Sequence, residues 1–403
     1  MGTNNNSMRI IKDIYWPEKM KLYFEQTMRA TPSQFRNIAS GSLVREIEDK
    51  TRERNGTEVE EQDLLNAFLD TIPVYFRSDM LKLLSDLGIN TNRSKEDKVP
   101  VNDIAEMKEA INKAVSLAGV NCDNQILDSI IKAYEVSLSN IRTNIVLGTT
   151  TRKVEHRGLT VHFSDIFNQL NPYKVAVENQ LLPNNGMPAD KYIDEVLETV
   201  PVLGYMIEFN VAVGIESIGI MCASHLPQKL EKMAALKNSP ESLKVNFPIL
   251  NNRGIRYASI YGVNYLKGTT WIYCMGNQVS GYSCEWVQSL LEDFAYKIPT
   301  KTILELCLNA NSITIEFSYI KNQPDSITFQ MCVNSFDEIP KNLNNFIENF
   351  GKNLNFRSEK KKYLYAITFT KSGQYLHLKG DYSGTMVDCL TGPFNQKPSE
   401  DCK

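Results

Sequence analysis

The sequence has few of the residues that carry metal or redox chemistry. Among 403 residues there are four histidines, and their separations match no zinc-ligand spacing. None of the eight cysteines forms a CxxC pair, which argues against a zinc ribbon or a thioredoxin-like motif. Several cysteines lie in strand-like runs, so we expect reduced thiols inside a core.

The sequence also lacks long apolar runs and an excess of either charge. Lys and Arg number 44 against 47 for Asp and Glu, a net charge of -3, so we expect no general attraction to nucleic acid or to an anionic membrane. The longest apolar runs are too short to span a bilayer. The N-terminal stretch contains no apolar signal core. Together these features predict a cytoplasmic protein without a membrane span.

The composition changes at residues 91–100, TNRSKEDKVP, which are polar, charged and end in proline. This pattern predicts a linker. The residues before it read as helices: Thr31 and Pro32 fit the N-cap and first position of one helix, which Gly56 ends. We therefore predict a small all-helical domain over 1–90 that contains no catalytic set.

This helical unit resembles the short helical domain at the C-terminus of a light-independent protochlorophyllide reductase subunit. The similar segments are YWPE at 15–18, TPSQFR at 31–36, REIEDKTRERNG at 45–56 and EEQDLLNAF at 60–68. The resemblance implies a docking or regulatory module that binds a protein partner and has no catalytic role. A generic pair of helical hairpins is the alternative.

After residue 100 the pattern of two strands followed by a helix repeats. Strands are predicted at 143–151, 158–164, 203–213, 216–223, 255–266, 269–276, 303–319, 325–333, 362–370 and 374–380, and helices at 103–119, 123–138, 226–237, 283–296 and 335–349. Tight turns between paired strands imply antiparallel hairpins. The predicted fold is α+β: a ten-stranded antiparallel β-barrel of repeated αββα units over 101–395, ringed by outer helices and followed by a flexible tail at 396–403.

The predicted strands alternate between an apolar and a polar face. In the segment 311–318 the two faces are Ile313, Ile315 and Phe317 against Ser312, Thr314 and Glu316. Because amphipathic helices have an apolar side to bury, the apolar faces should point outward to them. The polar and aromatic faces, with Trp271 and Tyr273 of TTWIYCMG, then line a lumen. The alternative is an open sheet whose polar face is solvated.

Four segments of the barrel region resemble soluble aromatic prenyltransferases, the PT-barrel or ABBA family of bacterial secondary metabolism. They are DIAEMKEAINKAVSLAGVNCD at 103–123, NPYKVAVENQLLPNNGMPADKYIDEVLETVP at 171–201, NNRGIRYASIYGVNYLKGTTWIYC at 251–274 and KKYLYAITFTKSGQYLHLKGDYS at 361–383. The resemblance runs in register from about residue 100 to 390. It implies transfer of an allylic group from an isoprenyl diphosphate to an indole or phenolic ring, with 171–201 as outer helical wrapping.

The resemblance also implies site positions, and this sequence departs from most of them. One tyrosine position is kept as Tyr273. The resemblance places a diphosphate-binding asparagine at Trp271, two lysines at Ser217 and His377, an arginine at Thr328 and a second tyrosine at Thr314. The position of a metal-binding aspartate lies near Thr160 or His162, which are poor Mg²⁺ ligands. We expect no metal site, no certain cofactor and no essential Mg²⁺.

These considerations give a candidate site. The predicted catalytic residues are Tyr273, Glu208 and His377, and the predicted substrate-binding residues are Trp271, Ser217, Met221, Thr314, Thr328, Lys379 and Glu316. Lys379 is the main candidate for diphosphate contact; Arg256 and Lys267 are weaker ones, and Lys267 is interpreted as a solvated surface lysine. Two alternatives stay open: a diverged barrel enzyme that cyclises or rearranges an aromatic or terpenoid substrate without diphosphate, and a non-catalytic ligand-binding barrel.

Overall fold

A computed structural model describes residues 102–384, except for 141–142, 154–156, 166–170, 183–186, 201, 223–227, 276–281, 342–343 and 360. The described residues all belong to one of the two units into which the chain divides, Asn102–Lys403. The predicted helical domain at 1–90, the linker at 91–100 and the tail at 396–403 lie outside the described residues.

Ten antiparallel strands close into a barrel. They are β1 (Asn144–Thr150), β2 (Thr160–Asp165), β3 (Val202–Asn210), β4 (Gly214–Cys222), β7 (Ile260–Asn264), β8 (Thr269–Met275), β9 (Ser312–Phe317), β10 (Ser326–Val333), β11 (Tyr363–Thr370) and β12 (Gly373–Asp381); β5 (Gln228–Lys229) and β6 (Tyr257–Ala258) form a separate short ribbon. The order around the barrel is β1-β12-β11-β10-β9-β8-β7-β4-β3-β2, and β2 pairs with β1. The predicted ten-stranded antiparallel barrel is confirmed.

Helices surround the barrel. In the described part they are α1 (Ile104–Ala118), α2 (Asn124–Ala133), α3 (Glu135–Ser139), α4 (Pro172–Glu178), α5 (Pro188–Thr199), α6 (Leu230–Ala234), α7 (Glu241–Asn252), α8 (Cys284–Asp293), α9 (Lys301–Cys307) and α10 (Asn345–Asn353). Asp103, Asp123 and Asn171 cap α1, α2 and α4 by accepting backbone N–H groups. Within the described residues, no helix combines the length and the apolar character needed to cross a membrane.

Several predicted boundaries are wrong, and each has a local cause. The predicted strand at 303–319 is helix α9 followed by β9, because Leu304 and Cys307 bury one helical face at a spacing of three. Helix α7 was not predicted; Pro240 precedes it and Pro248 lies inside it. The predicted helix at 335–349 is a short 3-10 turn at Phe336–Glu338 and then α10.

The core lies between the barrel and the helices. Ile313, Ile315 and Phe317 are buried there with apolar residues of the surrounding helices, as the alternation predicts. A small second cluster of Val146, Leu364 and Ala366 is separate from this core and belongs to the inner face. The outer faces therefore hold the fold together, and the inner faces enclose a lumen.

Candidate active site

The lumen contains a cavity of ≈ 220 Å³ that receives side chains from every barrel strand. All predicted site residues line it except Met221: Glu208, Ser217, Trp271, Tyr273, Thr314, Glu316, Thr328, His377 and Lys379. Sequence reasoning did not select His162, Met206, Ile260, Asn264, Gln330, Thr368 or Tyr375, which also line it.

Two predictions about the lumen need correction, and a third candidate lies elsewhere. Met221 is buried opposite Ile260 in the pairing of β4 with β7, and Ile260, not Met221, lines the cavity. Lys267 is 41% exposed, but it is more than a solvated surface lysine, because its ammonium group pairs with Glu316 and lines the cavity. Arg256, a weaker candidate for diphosphate contact, is exposed and does not line the cavity.

Trp271 is held against the lumen wall by two glycines. A Cβ atom at Gly262 would lie 2.2 Å from the indole, and one at Gly219 would lie 2.8 Å from it, so only residues without a side chain leave room for the ring. The indole Nε1 donates a hydrogen bond of 2.6 Å to Ser217 Oγ. The ring therefore covers β4 and β7, and the hydroxyl of Ser217 serves to orient it.

A polar group of Lys379, Glu208 and His162 lines the lumen, and we call it the Lys379 group. Lys379 Nζ donates to Glu208 Oε2 at 2.5 Å, and His162 Nδ1 lies 3.6 Å from the same oxygen. Burial would raise the pKa of Glu208, but Lys379 and His162 lower it well below its usual range. Burial lowers the pKa of His162. At neutral pH this group contains an anionic Glu208 and a neutral His162.

A second lysine–glutamate pair joins the β7–β8 turn to β9. Lys267 Nζ donates to Glu316 Oε2 at 2.6 Å, and the carboxylate also accepts hydrogen bonds from Thr269 Oγ1 at 2.6 Å and Ser326 Oγ at 3.0 Å. Burial raises the pKa of Glu316, yet Lys267 and these donors lower it overall. The lysine side chain is 41% exposed, against 8% for the glutamate.

A chain of neutral hydrogen bonds connects two predicted residues, His377 and Thr328, through Thr368. His377 Nε2 lies 2.7 Å from Thr368 Oγ1, which lies 2.7 Å from Thr328 Oγ1. Nearby, Gln330 Nε2 donates to Thr314 Oγ1 at 2.7 Å. Burial, followed by the charge of Lys379, lowers the pKa of His377 to about 3. The imidazole is therefore neutral at physiological pH and free of the charge that the family's lysine would bring to this position.

Arg152 and Tyr375 form a contact that the sequence did not reveal. Arg152 Nη2 donates to Tyr375 Oη at 2.6 Å, and the guanidinium carbon lies 4.2 Å from the centre of the same ring. Tyr375 also packs against His377, with ring centres 4.8 Å apart. Strand alternation already placed Tyr375 on the inner face with His377 and Lys379, but Arg152 lies in a turn, where no periodicity indicates direction.

Tyr273 and Glu216 are two further titratable groups near the lumen. Tyr273 lies opposite Thr314 on β9, and burial raises its pKa, so it remains a neutral phenol. Glu216 lies at an irregularity in the pairing of β3 with β4 and accepts a hydrogen bond of 3.2 Å from Asn210 Nδ2. Burial, with the charge of Glu208, raises the pKa of Glu216 to about 7.

The described residues gather no group of three His, Cys, Asp or Glu side chains that could hold a metal ion. At the position where the resemblance places a metal-binding aspartate, His162 is occupied by its contact with Glu208. These donors therefore offer a hydrogen-bonding environment of imidazole and a lysine-paired carboxylate, which does not fit the oxygen-rich coordination that Mg²⁺ requires.

A comparison with protein families shows to which family the chain belongs. The family model for aromatic prenyltransferase Orf2 matches residues 102–394, which include the whole barrel. The chain belongs to this family. It is therefore a transferase of the aromatic prenyltransferase type, and the lumen described above is the candidate site of transfer.

The family's members in Streptomyces are distant but align over nearly their full length. The 5,10-dihydrophenazine-1-carboxylate 9-dimethylallyltransferase of Streptomyces anulatus is 22% identical over 68% of this chain and 91% of its own. The furaquinocin biosynthesis prenyltransferase of Streptomyces sp. (strain KO-3988) is 19% identical over 72% and 94%. The flaviolin linalyltransferase of Streptomyces virginiae is 19% identical over 70% and 92%. The solved structure of a 6-dimethylallyl tryptophan synthase aligns with a TM-score of 0.48 at 8% identity, over 69% of this chain and 95% of the other.

Proposed function

We propose that the enzyme transfers a prenyl group from an allylic diphosphate to a carbon of an indole or phenolic acceptor. The observation that carries this proposal is the lumen of a closed barrel, in a chain of this family, whose wall presents the rings of Trp271, Tyr273 and Tyr375 beside neutral hydrogen-bonding groups. Aromatic faces attract a cation, and a barrel wall that surrounds the cation limits the directions from which water can reach it.

The reaction that we propose is an electrophilic aromatic substitution. The bond between C1 of the prenyl group and the diphosphate oxygen breaks, and diphosphate leaves with the electron pair. The allyl cation that forms accepts two π electrons from an acceptor carbon, which makes the new C–C bond. In this scheme Tyr273 and Trp271 shield the cation, and the high pKa of Tyr273 keeps it a neutral ring throughout.

The acceptor then loses its ring proton. His377 is our candidate for receiving it, since burial and Lys379 keep the imidazole neutral and Thr368 orients it. The protonated ring intermediate is a strong acid, so a base of low pKa is sufficient. Glu208, held as an anion by Lys379, offsets the charge of that ammonium group, which would otherwise repel the cation.

Acceptor recognition is assigned to the neutral side chains. A planar ring stacked on Trp271 would present a hydroxyl or N–H group to Thr314, Thr328 or Gln330, which already hydrogen-bond to neighbouring lumen groups. The names of two relatives specify dihydrophenazine carboxylate and flaviolin as acceptors. We propose an acceptor of this general kind, a fused or substituted aromatic ring with a ring hydroxyl or N–H.

The test is a transfer assay with the full chain. Dimethylallyl and geranyl diphosphate are each incubated with hydroxynaphthalenes, indoles and dihydrophenazines, with and without Mg²⁺, and products are followed by mass spectrometry together with released diphosphate. Prenylated acceptor and diphosphate in equal amounts support the proposal. Tight binding of aromatics without any transfer would favour an enzyme that rearranges a substrate without diphosphate, or a ligand-binding barrel.

A further inference from the structure

The turns that join paired strands all lie at one end of the barrel, since the strands alternate in direction around it. We call this the hairpin end. Arg152 follows β1 in one of these turns, and Lys267 lies between β7 and β8 in another. Both side chains reach groups that line the lumen: Tyr375 for Arg152 and Glu316 for Lys267.

The part of the lumen around Trp271 and the Lys379 group is poorly suited to a diphosphate. The indole of Trp271 covers Gly219 and Gly262 and uses the hydroxyl of Ser217. Lys379 is a cation in this part of the lumen, and it is already bound to Glu208. A diphosphate carries about two to three negative charges, and leaving such charge buried without partners costs several kcal/mol per ion.

The hairpin end contains two cations, Arg152 and Lys267, whose surroundings differ from those of Lys379. Among the described residues, no carboxylate lies within ion-pair distance of Arg152. Lys267 and Tyr375 line the same cavity, and Arg152 is hydrogen-bonded to Tyr375, so Tyr375 connects Arg152 to the cavity that Lys267 lines. With 41% of its side chain exposed, Lys267 can turn to a new partner.

We propose that the diphosphate of the prenyl donor is anchored at the hairpin end by Arg152, Lys267 and the hydroxyl of Tyr375, with the prenyl chain directed toward Trp271 and Tyr273. This inference rests on the proposed function and locates its donor. The planar guanidinium of Arg152 presents a fork of N–H donors that matches phosphate oxygens. Lys267 supplies a compact second charge.

Glu316 lowers the free-energy cost of moving the Lys267 ammonium group from the carboxylate to a phosphate. Without donor it holds Lys267; when Lys267 turns to phosphate, the carboxylate keeps its hydrogen bonds from Thr269 and Ser326. A buried carboxylate that retains charge-assisted hydrogen bonds avoids much of the cost of losing its cation. Glu316 therefore competes with the donor for Lys267 and sets the donor affinity.

The experiment measures the affinity of dimethylallyl diphosphate and of inorganic diphosphate by calorimetry for the full chain. Arg152→Gln and Lys267→Gln are each expected to weaken both ligands about tenfold or more, as loss of a hydrogen bond to a charged group does. Glu316→Gln is expected to tighten both severalfold. Arg152→Lys, which keeps the charge and loses the fork, should recover part of the lost affinity.

The matched control is Lys321→Gln. Lys321 also lies in a turn at the hairpin end and also pairs with a carboxylate, Asp325 at 2.6 Å, but it does not line the cavity; its variant should bind as the wild type does. Thermal melts confirm that each variant is folded.

Two results would overturn the inference. If Lys379→Gln abolishes binding while Arg152→Gln and Lys267→Gln bind normally, the diphosphate lies at the Lys379 group and the proposed location is wrong, although the function stands. If the wild type binds neither ligand and transfers no prenyl group, the function itself fails.

Discussion

The two lysine–glutamate pairs of the lumen contain the same charges but differ in what else holds the carboxylate. In the Lys379 group, Glu208 accepts from Lys379 and lies near a neutral imidazole, and the lysine side chain is only 20% exposed. At the hairpin end, Glu316 has two hydroxyl donors besides its lysine, and that lysine is partly exposed. The first pair is therefore a fixed structural unit, and the second can exchange partners.

The largest effect should come from breaking the fixed pair. Lys379→Met leaves Glu208 without its cation, and we expect a loss of about 2–3 kcal/mol in the free energy of unfolding, less than for a fully buried pair because Glu208 is 26% exposed. Lys267→Met should cost below about 1 kcal/mol, since Glu316 keeps its hydroxyl donors. Urea unfolding at pH 7 measures both, and equal losses would contradict the distinction.

The same pair predicts how stability depends on pH. The folded pKa of Glu208 is lowered, so the stability from its interaction with Lys379 is present above the unfolded pKa of the carboxyl and is lost as pH falls through the folded value. In Lys379→Met this loss on acidification should be much smaller. Unfolding curves below pH 5 compare the two chains.

A second comparison separates turnover from donor binding. Tyr273→Leu removes a ring that shields the cation, and we expect kcat to fall about tenfold, whereas Tyr273→Phe keeps the ring and should retain most of kcat. Tyr375→Phe should instead raise the KM for donor, because it removes a hydroxyl at the hairpin end. Steady-state kinetics with varied donor tests this, and a fall in kcat alone for Tyr375→Phe would contradict it.

A smaller effect concerns Glu216, whose folded pKa is raised to about 7. A raised folded pKa means that the protonated form contributes stability that is fully present below the unfolded pKa and is lost as pH rises through about 7. Glu216→Gln should therefore raise the melting temperature at pH 8 and leave it nearly unchanged at pH 4. A variant equally stabilised at both values would show that charge is not the cause.

The smallest effect should follow from Ser217→Ala. It removes one hydrogen bond to the indole of Trp271, which contributes about 0.5–1.5 kcal/mol. Because the ring remains seated against Gly219 and Gly262, acceptor KM should rise only severalfold while donor affinity is unchanged. Acceptor and donor titrations of the variant distinguish this outcome from a general loss of lumen structure.

The face of each lumen residue could be predicted from sequence, because side chains along a strand alternate with a period of two. Glu208, Trp271 and His377 were placed inward by that rule alone. Depth along the strand has no such rule, and so Met221 was included although Ile260 takes its place at the cavity. Short apolar stretches fit two periods, which is why the residues of α9 were predicted as strand.

The turn residues show more clearly what sequence patterns do not predict. Lys267 and Arg152 lie where no repeating pattern exists, and partners distant in sequence determine their direction: Glu316 for one, Tyr375 for the other. The resemblance to the family did not help either, since its cationic positions hold Ser217, Thr328 and His377 in this chain. Pairing of lysines with glutamates becomes visible only when the strands are placed side by side.

Closure of the barrel has a consequence for how new specificities arise. Every barrel strand is hydrogen-bonded on both sides, and the apolar packing that stabilises the ring lies outside it. If the acceptor binds as we propose, exchanging neutral inward side chains such as Thr314 or Gln330 should alter which acceptors are used without weakening the framework around them. The architecture separates the outward-facing apolar residues, which stabilise the barrel, from the inward-facing neutral residues, which selection or an engineer can change.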